Sequence, residues 1–286
     1  MSRRLPGATA VGPVALNVAD LEGALAFYGR GLGFRVHGRE RDVARLGAGG
    51  ADLLLLRGSP RAPRPARATG LYHFAILVPS RLELARALSH LAEADVRLQG
   101  ASDHLVSEAL YLADPEGNGI EIYRDRPREE WTHDAGGLRM ATEPLDLDAL
   151  MKELPDHDAP WGGMPAGTVI GHVHLRVTQI APAEAFYRDV LGFDLTTRYG
   201  DAASFLSAGG YHHHIAVNTW ASLGAPPPPD GAAGLAHFVV RLPDRTELDR
   251  VTERVSAAGV PALRIADGVL VRDPSGNGVL LSAPGA

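Results

Sequence analysis

The chain has 286 residues, 45% hydrophobic and 22% charged, with a net charge of −6, 12 histidines and no cysteine. Its length predicts about two domains, and the lack of cysteine excludes disulfide scaffolds, cysteine-ligated zinc, iron–sulfur clusters and cysteine nucleophiles. Any metal would be held by histidine and carboxylate, the acidic balance gives no reason to expect nucleic acid as a partner, and no apolar run approaches the ~18–20 residues of a membrane span.

The N-terminal MSRRLPGATAVG is basic but has no apolar core, so the expected location is the cytoplasm. Val14–Val18 alternates like a strand, and Asp20 can cap a helix running to about Arg30, closed by Gly31 and Gly33. Short strands are predicted over Asp52–Arg57, Ala109–Leu112, Gly119–Tyr123, Ala203–Leu206, Tyr211–Asn218 and Val269–Arg272. Phe74–Val78 is an apolar strand, followed by the capping box Ser80-x-x-Glu83 and a helix to about Ala94; Asp244-x-x-Glu247 opens a matching helix before Gly259. Gly58–Gly70 and the run Pro226–Pro229 read as linkers. The stretch Asp125 to Gly167 is a longer linker with one predicted helix, Leu145–Leu154.

The chain repeats itself. VGPVALNVADLEGALAFYGRGLGF, from Val11, aligns without a gap on IGHVHLRVTQIAPAEAFYRDVLGF, from Ile170, at an offset of 159. LYHFAILVPSRLEL, from Leu71, aligns on LAHFVVRLPDRTEL, from Leu235; DPEGNGIEIY, from Asp114, aligns on DPSGNGVLLS, from Asp273. The order is therefore four units, A, B, A′ and B′, each a strand, a helix and further short strands. By chain position these are a first pair over residues 1–127, a linker with one helix over 128–167 and a second pair over 168–286. Pro and Gly in the Asp-Pro-x-Gly-Asn hairpins are ordinary turn chemistry.

Residues i and i+2 of a strand share a face, so His172 and His174 lie together, as do His212 and His214, with His213 opposite. Glu121 stands alone among Ile120 and Ile122; a charge there needs a partner or a cation, unless the strand is an edge and the carboxylate meets water.

The repeated units, the FY…LGF helix ends and the DPxGN hairpins resemble the vicinal oxygen chelate superfamily, and the four-unit length resembles its catechol 2,3-dioxygenase-like two-domain branch. The resemblance covers nearly the whole chain outside the long linker. It implies an α+β fold in which four βαβββ units form two half-barrel cups. It also implies a metal held by a first-strand His of one unit and by a His and a Glu of another. The donors that match are His172, His73 and Glu121, whereas the equivalent positions in A and B′ are Pro13, His237 and Leu280. Pairing A with B and A′ with B′ leaves both cups incomplete. Pairing B with A′ completes one triad and leaves A with B′ emptied.

The resemblance further implies that His104 and Tyr111 contact the substrate, and that His213 or His214 acts as acid–base; spacing does not separate the last two. The implied activity is extradiol cleavage of a catechol-type aromatic diol by O2, an oxidoreductase of aromatic catabolism using Fe(II) or Mn(II). No nucleic-acid or membrane partner is expected, and a homo-oligomer is one option for assembly. Two other readings use the same fold. One is a glyoxalase-like isomerase or lyase, with Zn or Ni on a cluster such as His172, His214 and His237. The other is a non-catalytic small-molecule-binding protein. Trp131, Trp161 and Met164 of the linker either line the pocket or form a packing strap.

Overall fold

Alternating burial builds the strands: in the first, Val14, Leu16 and Val18 are fully buried against the helical layer while Asn17 turns the other way. The computed structural model describes residues 4–63, 65, 67–134, 137–157 and 160–285. Residues 64 and 66 of the Gly58–Gly70 linker, and 135–136 and 158–159 of the longer one, lie outside the described residues.

Unit A contains β1 (Ala10–Val18), α1 (Leu21–Ala26), β2 (Arg35–Glu40), β3 (Val43–Gly47) and β4 (Asp52–Gly58). Unit B contains β5 (Gly70–Leu77), α2 (Arg81–Glu93), β6 (Gly100–Asp103), β7 (Ser107–Ala113) and β8 (Gly119–Asp125). The long linker carries β9 (His133–Asp134), β10 (Gly137–Leu138), β11 (Glu143–Pro144) and α3 (Leu147–Met151). Unit A′ contains β12 (Val169–Arg176), α4 (Ile180–Ala185), β13 (Asp194–Tyr199), β14 (Ala203–Ser207) and β15 (Ile215–Asn218). Unit B′ contains β16 (Gly234–Arg241), α5 (Arg245–Ala257), β17 (Ala262–Ile265), β18 (Gly268–Arg272) and β19 (Gly278–Ser282). The side chains of Asp20, Ser80 and Asp244 each accept a backbone N–H in the first turn of α1, α2 and α5, so the predicted caps are the observed ones.

Two curled mixed sheets result. One runs β17-β18-β19-β16-β1-β4-β3-β2 and joins A to B′; the other runs β11-β6-β7-β8-β5-β12-β15-β14-β13 and joins B to A′. Each is a half-barrel cup of the kind the resemblance implies. The seams are antiparallel, β1 with β16 and β5 with β12. One hydrophobic core spans both sheets and the helices, from Leu16 and Leu54 to Phe74, Ile120 and Val173.

The repeated motifs tie the two sheets together. Tyr28 of unit A donates to Asp114 of unit B at 2.9 Å, and Tyr187 of A′ donates to Asp273 of B′ at 3.0 Å. Asn118 and Asn277 complete the same carboxylates from the hairpin side. The FY and DPxGN motifs thus form a buried latch, beyond the turn chemistry that the hairpin alone suggests.

The sequence places two features differently. Residues 211–214 form a loop, and the strand starts only at Ile215. The linker helix is shorter than Leu145–Leu154: Asp146 caps its start at Leu147, and it ends at Met151. Of the linker residues singled out, Met164 is buried, its N–H donating to the Gly33 carbonyl at 2.8 Å, and Trp161 stacks on His90. Gly33 has φ +77°, and a Cβ there would lie 2.7 Å from Gly163 Cα, so two glycines are needed for the linker to strap over unit A.

Candidate metal centre and active site

Side chains directly opposite in a sheet share a face, and the register of the B–A′ sheet aligns one row across four strands. Tyr111 of β7 faces Glu121 of β8, Glu121 faces Ala75 of β5, and Ala75 faces His172 of β12. One step along, His73 faces His174. Ala75, fully buried, is the small member of the row and leaves space between the carboxylate and the imidazoles.

In that space His73 Nε2 lies 3.0 Å and His172 Nε2 3.2 Å from the same oxygen, Glu121 Oε2. All three side chains are buried. Despite that short contact, His73 Nε2 is buried without a partner in hydrogen-bonding geometry, a buried polar atom that a cation would satisfy. Donor atoms of His73, Glu121 and His172 all lie within 4.8 Å of one another. Two imidazoles and one carboxylate, buried and converging with an unsatisfied nitrogen, fit a divalent cation. Burial holds the His172 imidazole down at about 4 against the opposing pull of Glu121, which keeps it neutral and able to ligate. Burial would raise the Glu121 carboxyl, but the facing His172 and His73 outweigh it and hold it well below the usual carboxylate range.

A cavity of about 510 Å³ opens over this row. Tyr72, His174, Phe205 and Trp220 wall it with aromatic rings, and Met140 to Thr142 of the linker close one side. His104 lies in the turn from β6 to β7, where Nδ1 sits 2.6 Å from the Ala141 carbonyl and Nε2 2.6 Å from the Tyr111 hydroxyl. A carbonyl only accepts, so Nδ1 carries the proton and a neutral His104 accepts from Tyr111. Burial, with Glu121 adding to it, raises the Tyr111 phenol well above its ordinary value and keeps it a donor.

His213 lines the cavity with its ring 4.0 Å from that of His172. His214 does not join it: its Nδ1 accepts the Ala208 N–H at 3.1 Å and its ring lies toward Phe193. Strand parity fails here because these residues are loop. The alternative His172, His214 and His237 cluster is not assembled either, since His237 stands on β16 in the other sheet. Among the described residues the only three-residue donor group is His73, Glu121 and His172. Trp131 lies over His212, outside the cavity wall.

Sequence reasoning missed several residues. The sequence places His174 only on one face with His172; it lines the cavity with Nε2 buried and unbonded, and burial pushes its imidazole well below its ordinary value. Asp125, read as the first linker residue, ends β8 and bonds to His212 and Tyr211. For His174 the repeat comparison holds a signal, since its equivalent in A is Ala15; Asp125 lies just past the aligned hairpin motifs and has none.

The two cups and the His73, Glu121 and His172 triad define the class, and comparison with known proteins agrees. Residues 10–122 and 169–281 match the Glyoxalase/Bleomycin resistance protein/Dioxygenase superfamily, and the chain belongs to that family. A catechol-2,3-dioxygenase of Bacillus subtilis is 46% identical over 271 residues, covering 93% of this chain and 94% of its own. A biphenyl-2,3-diol 1,2-dioxygenase of a Pseudomonas species is 29% identical, covering 80% of this chain and 76% of its own. Crystal structures of a Bacillus subtilis protein assigned as a dioxygenase (TM-score 0.67, 12% identity, 99% and 87% coverage) and of Zea mays glyoxalase I (TM-score 0.59, 16% identity, 96% and 92% coverage) share the fold. More particularly, the chain is a metal-dependent oxidoreductase, similar to the Bacillus catechol-2,3-dioxygenase over most of its length. No helix among the described residues is long and apolar enough to cross a membrane.

Proposed function

We propose that the protein is an extradiol ring-cleaving dioxygenase acting on a catechol-type aromatic diol. The observation that carries the reading is the convergence of His73, His172 and Glu121 beneath a cavity that also holds His213 and the His104–Tyr111 pair. The relatives named for catechol and biphenyl-diol dioxygenation support it. Fe(II) is the proposed metal and Mn(II) the alternative, both suited to two imidazoles and one carboxylate. Such an ion, when bound, would supply a Lewis-acid template for the two vicinal oxygens and a redox partner for O2.

The chain's own residues do the rest. The aromatic walls hold the ring flat, and the Tyr111 hydroxyl, whose one proton goes to His104 Nε2, accepts from a diol hydroxyl. His213, which also lines the cavity, takes a proton from the incoming diol and returns it as the ring opens. Both atoms of O2 end in the product, as one aldehyde or ketone oxygen and one carboxylate oxygen.

The test is anaerobic reconstitution with Fe(II), then addition of O2 and a panel of catechols. One O2 consumed per diol with a yellow ring-opened product is expected. Absence of oxygen uptake by the iron-loaded protein across the panel would overturn the reading, since a glyoxalase-like isomerase consumes none.

A further inference from the structure

A buried hydrogen-bonded chain lies behind His213, and nothing in the mechanism above uses it. His213 Nδ1 is 2.8 Å from His212 Nδ1, and His212 Nε2 is 2.9 Å from Asp125 Oδ1. Tyr211 donates to Asp125 Oδ2 at 3.0 Å, and the Tyr123 hydroxyl reaches Tyr211 at 2.8 Å. His212 is fully buried, held between the Tyr211 ring at 4.1 Å and the Trp131 ring at 5.5 Å. Tyr123 can lie over β12 because residue 171 is glycine; a Cβ there would fall 1.8 Å from its hydroxyl oxygen. Arg128 lies over both Trp131 and Tyr211 on the outer side.

Hydrogen-bond polarity fixes the protons along this chain. A carboxylate only accepts, so His212 Nε2 carries a proton toward Asp125. A neutral His212 then has a lone pair on Nδ1. Two ring nitrogens at 2.8 Å need one proton between them, so the proton of His213 must sit on Nδ1. That leaves His213 Nε2 as the bare nitrogen on a ring that lines the cavity.

We infer that Asp125 and His212 are positioning residues that hold His213 as its Nδ1–H tautomer, presenting Nε2 as an acceptor to the cavity. The assignment of that acceptor to proton transfer rests on the ring-cleavage reading; the tautomer itself does not. A carboxylate that orients a catalytic imidazole in this way is a known device of acyl-transfer enzymes, carried here through a second histidine.

The experiment is 15N NMR of histidine-labelled, metal-free protein, paired with turnover, KM and iron content of the reconstituted protein. The wild-type His213 should show a protonated Nδ1 and an unprotonated Nε2. His212→Leu removes the acceptor and should move the proton to Nε2, with kcat falling about 10²–10⁴-fold while KM and iron content hold. His212→Gln can accept from His213 with its carbonyl and donate to Asp125 with its amide, so it should restore both the tautomer and most of the turnover. A merely structural role would not separate Leu from Gln. A wild-type His213 protonated on Nε2, or an unchanged tautomer in His212→Leu, would overturn the inference. If the wild-type protein takes up no oxygen, the ring-cleavage reading fails, and the NMR result still decides the tautomer.

Discussion

A neutral imidazole has one proton to give, so the partner of one ring nitrogen dictates what the other can do. At His104 the Ala141 carbonyl takes the Nδ1 proton and turns Nε2 into the acceptor for Tyr111. Since His104 is not among the converging donors, His104→Ala should retain iron and lose about 10²–10⁴-fold in turnover, measurable as oxygen uptake beside elemental analysis. Not every residue of the site was equally legible in the sequence. His172 and Glu121 stand out because the equivalent positions in A and B′ are Pro13 and Leu280; His73, whose equivalent is His237, is marked only by the family resemblance. His213 and His214 could not be separated, because a parity argument needs a strand and the chain there is a loop. His212 and Asp125 were invisible as partners, since their contact spans 87 residues and no local pattern encodes it.

The elements were legible where local chemistry sets them. Asp20, Ser80 and Asp244 announce helix starts because a capping side chain satisfies backbone N–H groups within its own turn. The long linker was not, because its short strands exist only by pairing with neighbours: β11 is held by β6, and Met140 to Thr142 become cavity wall through that pairing. The FY and DPxGN motifs were legible as repeats but not as partners, since each bond runs from one sheet to the other. Tyr28→Phe removes a buried donor and leaves Asp114 Oδ2 with Asn118 alone on that side. The expected cost is about 1–3 kcal/mol, read as a lower denaturant midpoint with iron content unchanged. Tyr187→Phe should cost a similar amount, because Asp273 is held the same way.

On the scale of the whole molecule, the asymmetric distribution of polar residues and the sheet order say the same thing. B and A′ share a sheet and hold the donors; A and B′ share the other, where Leu280 and Val239 face each other in place of a carboxylate and its partner. The price of one polar cup is a set of imidazoles buried in neutral form. Burial lowers His214 to about 3 and His172 to about 4, from an ordinary 6.5, and pushes His174 and His213 well below it. Between roughly pH 4 and 6.5 the unfolded chain therefore binds more protons than the folded one, so stability rises with pH through that window and falls as pH drops. The metal-free protein should show a thermal midpoint that declines steadily from pH 7 to pH 4.5, and a midpoint independent of pH there would contradict these burials.

The central claim is that one site, built across the β5–β12 seam, holds one metal. Its most direct measurement is the metal content per chain of the Fe(II)-reconstituted wild type, His172→Ala, Glu121→Ala and His237→Ala proteins. One iron is expected in the wild type and in His237→Ala, and almost none in the other two. Full occupancy in His172→Ala, or loss of iron in His237→Ala, would contradict it.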